Sequence, residues 1–140
     1  MKFWRALYKV FNQLNSLKAN TEKECWNYWL DKLRVDFPNY KLIDYSDEVS
    51  FPKVGVIINA KGVDFAVCIE QETNIYYGIG RHECSETLLK EVAYMVAPIL
   101  EEIGGFKSTS WWYDWKHTSF ENGYERLKTL ILEIEKTCMV

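Results

Sequence analysis

The sequence predicts an α+β domain in which a four-stranded, mainly antiparallel sheet packs against about four helices, in the order α-α-β-β-β-β-α-α. Apolar residues recur at helical spacing near both ends of the chain, whereas the central runs KVGVIINA and VDFAVCIE are rich in β-branched residues. Only a short link separates these two runs. It favours an antiparallel hairpin, because parallel strands need a crossover of a dozen or more residues.

The first part of the chain predicts two helices. The first covers residues 1–20 and places its apolar residues on one face: Phe3, Trp4, Leu7, Val10, Phe11, Leu14 and Leu17. Thr21 and Glu24 have the spacing of a capping box, which indicates that a second helix begins there. The residues that this second helix should turn inward are Trp26, Trp29, Leu30, Leu33 and Phe37. Pro38 should end it.

The central part of the chain predicts four strands, with the sequences YKLIDYS, KVGVIINA, VDFAVCIE and IYYGIG. Turns near Gly62 and in QETN connect the last three of them. One face of the third strand is fully apolar and consists of Val63, Phe65, Val67 and Ile69. Tyr76 and Tyr77 are adjacent in the fourth strand and must point to opposite faces, so we expect one in the core and one displayed.

Two more helices are predicted after the strands. Ser85 is a candidate N-cap for the first, Pro98 should kink or split it, and Gly104 with Gly105 should end it. The last helix has apolar residues at regular spacing: Phe120, Tyr124, Leu127, Ile131, Ile134 and Cys138. We therefore expect one domain over residues 1–140, with the helix over residues 1–20 able to lie at its periphery.

Composition and charge exclude several classes of function. A net charge of −3 argues against nonspecific nucleic-acid binding, which needs clustered Lys and Arg against phosphate. The four cysteines include no close pair, so we expect free thiols, no zinc site and no cofactor. No stretch has the continuous apolar run of a signal peptide or of a membrane span. We expect a cytoplasmic protein without membrane attachment.

The segment WWYDW, residues 111–115, is the strongest candidate for a binding surface. In an extended conformation its odd-numbered residues share one face and its even-numbered residues share the other. Most of these rings should pack in the core, but Trp and Tyr are also enriched at binding hot spots. We predict that a protein partner binds a surface formed by Trp112, Tyr113, Asp114, Trp115 and Tyr76. A single-strand stacking platform would need more flanking cations than Lys107 and Lys116 supply.

Three segments together resemble a known family. In chain order they are ECWNYWLDKL, VDFAVCIEQETNIYYGIG and WWYDW. They resemble the C-terminal accessory region of large bacterial and phage PD-(D/E)XK nuclease superfamily proteins, from about Thr21 to the end of the chain. In such proteins the nuclease motif lies in a separate N-terminal domain, so the resemblance implies an accessory part without it. Together with the acidic charge, it favours a noncatalytic inhibitor or immunity-type protein from a phage or defence system, acting on a nuclease or toxin.

Alternative functions remain open from the sequence. A degenerate Mg²⁺-dependent nuclease would use the carboxylates of Asp64, Glu70 and Glu72, although Glu72 stands where such a site needs a lysine. His82 and Cys84 have the spacing of a nucleophile pair on a strand, but chance gives such a spacing readily, and a loop histidine beside a half-buried thiol at the start of a helix explains them better. A third alternative is a structural subunit whose exposed rings form a homodimer.

Overall fold

The structure of the protein is a computed structural model. It describes residues 2–46, 51–80, 86–107 and 112–138, and within these ranges it describes no side chains for residues 2, 15–21, 86–89, 112 and 113. The described residues form α1 (Lys2–Asp36), β1 (Lys41–Tyr45), β2 (Lys53–Ala60), β3 (Val63–Gln71), β4 (Ile75–Gly80), α2 (Glu86–Ile103), β5 (Trp112–Thr118) and α3 (Gly123–Cys138).

The sheet is an antiparallel meander in which the strands lie side by side in chain order, from β1 to β5. This confirms the α+β class and the antiparallel sheet, but the described sheet has five strands and the prediction had four. The additional strand comes from the tryptophan-rich segment, which pairs with β4. The charged residues Asp114 and Lys116 fit there because β5 has a ladder partner along only one side of most of its length.

The first helix of the structure differs from the prediction of two helices. α1 is continuous from Lys2 to Asp36 and passes through the Thr21–Glu24 capping pattern without ending. A capping box reports a local preference, whereas Asn, Ser and Thr inside a helix cost only about 0.7 kcal/mol each or less. The propensity penalty is therefore too small to break the helix by itself.

The second helix, α2, also runs past its predicted interruption. Pro98 lies inside Glu86–Ile103, so the proline does not split the helix. Val96 and Leu100, on either side of it, are both buried, and their packing offsets the hydrogen bond that proline cannot donate. The helix ends where the glycines predict, and Gly104 and Gly105 adopt positive φ angles of 78° and 81°.

The main core lies between the three helices and one face of the sheet. The strand residues in it include the predicted apolar set Val63, Phe65, Val67 and Ile69. The core also contains all five residues predicted to turn inward from the second helix: Trp26, Trp29, Leu30 and Leu33 from α1, and Phe37 directly after its end. The Trp26 indole N–H, within this core, donates a hydrogen bond to Gln71 Oε1 on β3 at 3.3 Å.

No helix in the described ranges combines the length and the apolar character needed to cross a membrane.

Candidate functional site

The sheet face that points away from the main core forms the candidate site, and we call it the open face. Its central row crosses all five strands in register, through Ile43, Gly55, Cys68, Gly78 and Trp115. A second, smaller apolar cluster lies on this face, and in the described part of the chain it contains only strand residues. Among the described residues, the helices therefore pack on the opposite side of the sheet, and the side chains of this face come from the strands.

On the open face the ring of Trp115 contacts one ring on β4 and one on β5, and we call the three the aromatic patch: Tyr76, Trp115 and His117. The ring centroids of Tyr76 and Trp115 are 5.5 Å apart with an interplanar angle of 59°. Trp115 and His117 meet edge to face at 5.0 Å. Tyr76 and Trp115 are half-buried, whereas His117 is exposed. The patch thus has a packed base and an accessible rim.

The sequence places these rings together through two properties of strands. Trp115 and His117 are two residues apart on β5 and share a face. Tyr76 lies opposite His117 in the β4–β5 ladder. On the outer side of β5, Lys107 exchanges two backbone hydrogen bonds of 2.8 Å with Trp115 and places its Nζ 5.8 Å from the Trp115 ring centroid. The backbone of Trp115 therefore lies between two partners, β4 on one side and Lys107 on the other.

The centre of the open face has little side-chain volume, because glycines flank Cys68 on both neighbouring strands. Gly55 and Gly78 are its cross-strand neighbours. A Cβ atom on Gly55 would lie 2.5 Å from the Cβ of Cys68, and one on Gly78 would lie 2.1 Å from the backbone oxygen of Asp114. Larger residues would push the strands apart, so the glycines are needed for the close approach that brings Trp115 beside Cys68.

Acidic groups border the aromatic patch. Lys53 and Glu70 are opposite each other on β2 and β3, with Nζ and Oε2 4.0 Å apart. Burial raises the pKa of Glu70, and the nearby Lys53 partly opposes that shift. Tyr76 donates a hydrogen bond from its hydroxyl group to Glu72 Oε2 at 2.8 Å. Burial and this carboxylate raise the pKa of Tyr76, so its hydroxyl group stays protonated and acts as a donor.

One polar atom of the patch has no partner among the described residues. The Trp115 Nε1 atom is buried and makes no hydrogen bond there. An indole N–H that loses water without gaining an acceptor costs about 1 to 3 kcal/mol. Burial of the Trp115 ring therefore leaves its N–H donor unsatisfied among the described residues, at a cost in stability.

The predicted binding residues occupy different places. Trp115 and Tyr76 come together on the open face. Asp114 lies opposite Ile79 in the ladder, on the side of the main core, and burial raises its pKa. The backbones of Trp112 and Tyr113 belong to β5, but their side chains are outside the description. Trp111, His82 and Cys84 lie outside the described residues altogether.

His117 completes the patch but was not among the predicted binding residues. Its spacing from Trp115 was readable in the sequence, because alternate residues of a strand share a face. The register that brings both residues to Tyr76 was not readable, since it depends on how β5 pairs with β4.

The carboxylates of the nuclease alternative are not assembled. Asp64 and Glu70 lie near opposite ends of β3, six residues apart along one strand, or about 20 Å at strand rise. Asp64 Oδ1 accepts a hydrogen bond from Asn59 Nδ2 at 2.8 Å. In the described ranges, no group of three or more His, Cys, Asp or Glu residues has the arrangement of a metal site. Glu70 and Glu72 lie beside the aromatic patch, away from Asp64.

A shallow depression also lies on the helical side of the sheet. It has a volume of about 420 Å³ and its lining includes Tyr77, Lys116, Glu125 and Arg126. The two cations could attract an anion, but the carboxylate of Glu125 stands beside them and reduces that attraction. The depression therefore does not by itself indicate a ligand.

Comparison of the chain with protein-family models, with curated proteins and with solved structures found no match. The resemblance to the accessory region of PD-(D/E)XK nuclease superfamily proteins stays a prediction. A fold alone does not assign a function, so the side chains of the open face decide what this domain can bind.

Proposed function

We propose that the protein is a noncatalytic protein-binding module that recognises its partner through the aromatic patch and the acidic groups beside it. The observation that carries the proposal is the contact between Tyr76 and Trp115 on a sheet face away from the helices. Large rings with an apolar body and a polar edge are enriched among the residues that dominate binding energy. A patch fixed by cross-strand contacts also loses little side-chain entropy on binding.

The net charge of the chain favours a basic partner surface. At the site, Lys53 and Lys107 offset the carboxylates of Glu70 and Glu72, but the whole chain has a net charge of −3. Complementary charge at the rim of an interface speeds association and disfavours acidic competitors. A basic nuclease or toxin, the partner class implied by the family resemblance, has the required charge. The proposal therefore includes an inhibitor or immunity-type role toward such a partner.

The buried N–H of Trp115 indicates that the partner should present a hydrogen-bond acceptor to this ring. A small rotation of the ring on binding would let Nε1 donate to a carbonyl or carboxylate oxygen of the partner. The bound state would then recover a hydrogen bond that the described residues of the free protein do not supply. Trp115 is thus the residue whose removal should weaken binding most.

The test compares immobilised wild-type protein with Trp115→Ala, His117→Ala and Tyr94→Ala as baits for proteins of the native host. Tyr94 is an exposed ring on α2, 89% accessible and outside the patch, so Tyr94→Ala is the matched control. A partner recovered by wild type and control should be purified and titrated by calorimetry. We expect at least a tenfold loss of affinity with Trp115→Ala, as for a hot-spot residue.

Equal affinity of wild type and both patch variants would overturn the proposal. His117→Ala removes an exposed ring and should leave the fold intact, so it separates a binding defect from a folding defect. Light scattering of each variant identifies the remaining alternative. A dimer that Trp115→Ala converts to a monomer would assign the patch to a second copy of this chain.

A further inference from the structure

The two halves of α1 have opposite environments. Every residue from 3 to 14 is exposed, whereas the first buried side chain described along the helix is Trp26. Residues 2–20 would measure about 28 Å at helical rise, which is more than half of the length of α1. We call residues 2–20 the N-terminal segment of α1.

The N-terminal segment carries an apolar face that the domain does not bury. Its large exposed hydrophobic side chains are 49–69% accessible: Phe3, Trp4, Leu7, Tyr8, Val10, Phe11 and Leu14. At 3.6 residues per turn these positions cover an arc of roughly 160° around the helix. An exposed apolar surface of this extent is typical of an interaction site.

The charge of this segment is opposite to that of the rest of the chain. Residues 2–20 contain four basic residues and no acidic residue. The remaining residues contain 13 of the 17 basic and all 20 acidic residues, a formal charge of −7. At helical spacing Arg5 and Lys9 fall on the side opposite the apolar arc, whereas Lys18 falls on the side of the arc, one turn beyond Leu14. The segment is therefore a basic amphipathic helix attached to an acidic domain.

Charge and shape distinguish between two occupants of the apolar face. A second copy of the segment would bring cations toward cations and offer no acidic group for interhelical ion pairs, and its seam would be narrower than the observed arc. An anionic phospholipid surface attracts the cations and accommodates a broad apolar face. Trp4 and Tyr8 lie at one border of the arc, where their rings match the boundary between headgroups and acyl chains.

We propose that the N-terminal segment of α1 binds the surface of an anionic phospholipid bilayer and lies in its interfacial plane. The apolar face, with Leu7 and Phe11 near its centre, enters the acyl boundary, while Arg5 and Lys9 remain among the phosphates. This departs from the sequence-based expectation of no membrane contact. It agrees with the finding that no described helix can cross a membrane, because an interfacial helix does not span it.

The test is flotation of the protein with vesicles of phosphatidylcholine alone or with about one third phosphatidylserine. Wild type should bind the anionic vesicles at least about tenfold more strongly, and added salt should weaken that binding. The double variant Leu7→Glu/Phe11→Glu should lose binding, and Arg5→Glu/Lys9→Glu should weaken it by about tenfold or more. Val35→Glu is the matched control, since Val35 is 77% exposed on the same helix but outside the segment.

Circular dichroism melting separates binding from folding. The altered side chains are exposed, so the thermal midpoints of the variants should stay close to that of wild type. Absence of wild-type binding to anionic vesicles would overturn the proposal. Equal binding to both vesicle types, or loss of binding in Val35→Glu, would also contradict it. A dimer in light scattering that Leu7→Glu/Phe11→Glu dissociates, without lipid binding by wild type, would assign the face to a second copy.

Discussion

The hydroxyl group of Tyr124 on α3 donates a hydrogen bond to the carboxylate of Asp36, the last residue of α1. Tyr124 is buried, and Lys128 Nζ lies 3.4 Å from the same carboxylate. The bond joins residues 88 positions apart in the chain. It therefore fixes the end of the first helix against the last helix, on the side of the sheet that holds the main core.

Replacing Tyr124 with phenylalanine should lower the free energy of unfolding by about 1 to 2 kcal/mol, because the ring remains but the bond to a charged acceptor is lost. Chemical denaturation measures the change. Tyr94→Phe, at an exposed tyrosine of α2, is the matched control and should shift the free energy by less than about 0.5 kcal/mol. Similar values for both variants would show that the bond contributes no stability.

The same bond predicts a pH dependence of stability. The Tyr124 hydroxyl group and Lys128 lower the pKa of Asp36 from its ordinary value of 3.8. A lowered folded-state pKa stabilises the fold above the unfolded-state value, and this contribution is lost as the pH falls through the folded-state value. The difference in unfolding free energy between wild type and Tyr124→Phe should be constant above about pH 5 and shrink below about pH 4. A difference that grows on acidification would contradict this assignment.

Gly78→Ala should destabilise the β4–β5 pair by about 2 kcal/mol or more, since its methyl group would lie 2.1 Å from the Asp114 backbone oxygen and 2.8 Å from the Trp115 Cα. Gly80→Ala is the control, because its nearest neighbours would be 3.4 Å and 3.8 Å away. Denaturation midpoints and tryptophan fluorescence should change more for Gly78→Ala. Equal effects would refute the close packing inferred at Gly78.

Ile131→Ala should lower the free energy of unfolding by about 2 to 5 kcal/mol, because Ile131 is fully buried on α3 and its truncation leaves a cavity. Leu132 follows it on the same helix and is 41% exposed. Leu132→Ala should therefore cost less than about 1 kcal/mol. Urea unfolding of the two variants tests which face of α3 packs against the core. A larger loss of unfolding free energy at Leu132 would mean that the opposite face of α3 is buried.

Alkylation should distinguish the cysteines. Burial raises the pKa of Cys68 to about 12, and its side chain is fully enclosed. Cys25 and Cys138 are half-buried free thiols. At pH 8, iodoacetamide should modify these two at least about tenfold faster than Cys68, because the thiolate is the reactive form and access is also required. Peptide mass mapping measures the rates, which should converge in denaturant. Native labelling of Cys68 at the rate of Cys25 would contradict its burial.

Sequence periodicity predicted much of the core correctly. The second half of α1 has buried residues where the helical spacing placed them, and Tyr77 is buried while Tyr76 is partly displayed. These successes have one physical cause, since burial of a whole face repeats at the period of the element. A residue that faces a core is thus readable from its neighbours along the chain.

The rest depended on contacts between distant segments. The capping pattern at Thr21 is local, and the structure continues the helix through it. The sequence allowed an extended conformation in the tryptophan-rich segment, but the pairing of Trp112–Thr118 with β4 emerged only in the structure. The site shows the same limit, because the meeting of Tyr76 with Trp115 and His117 is set by register, which leaves no periodic signal in β5 alone.

The meander order of the sheet also has a consequence for how the chain acquires its shape. From β1 to β4, each strand pairs with its neighbour in the sequence, so each of these hairpins closes only a short loop and loses little chain entropy. Pairing of nearby segments is associated with rapid folding. The hairpins from β1 to β4 can form in succession during synthesis, before the ribosome has released the residues of β5 and α3.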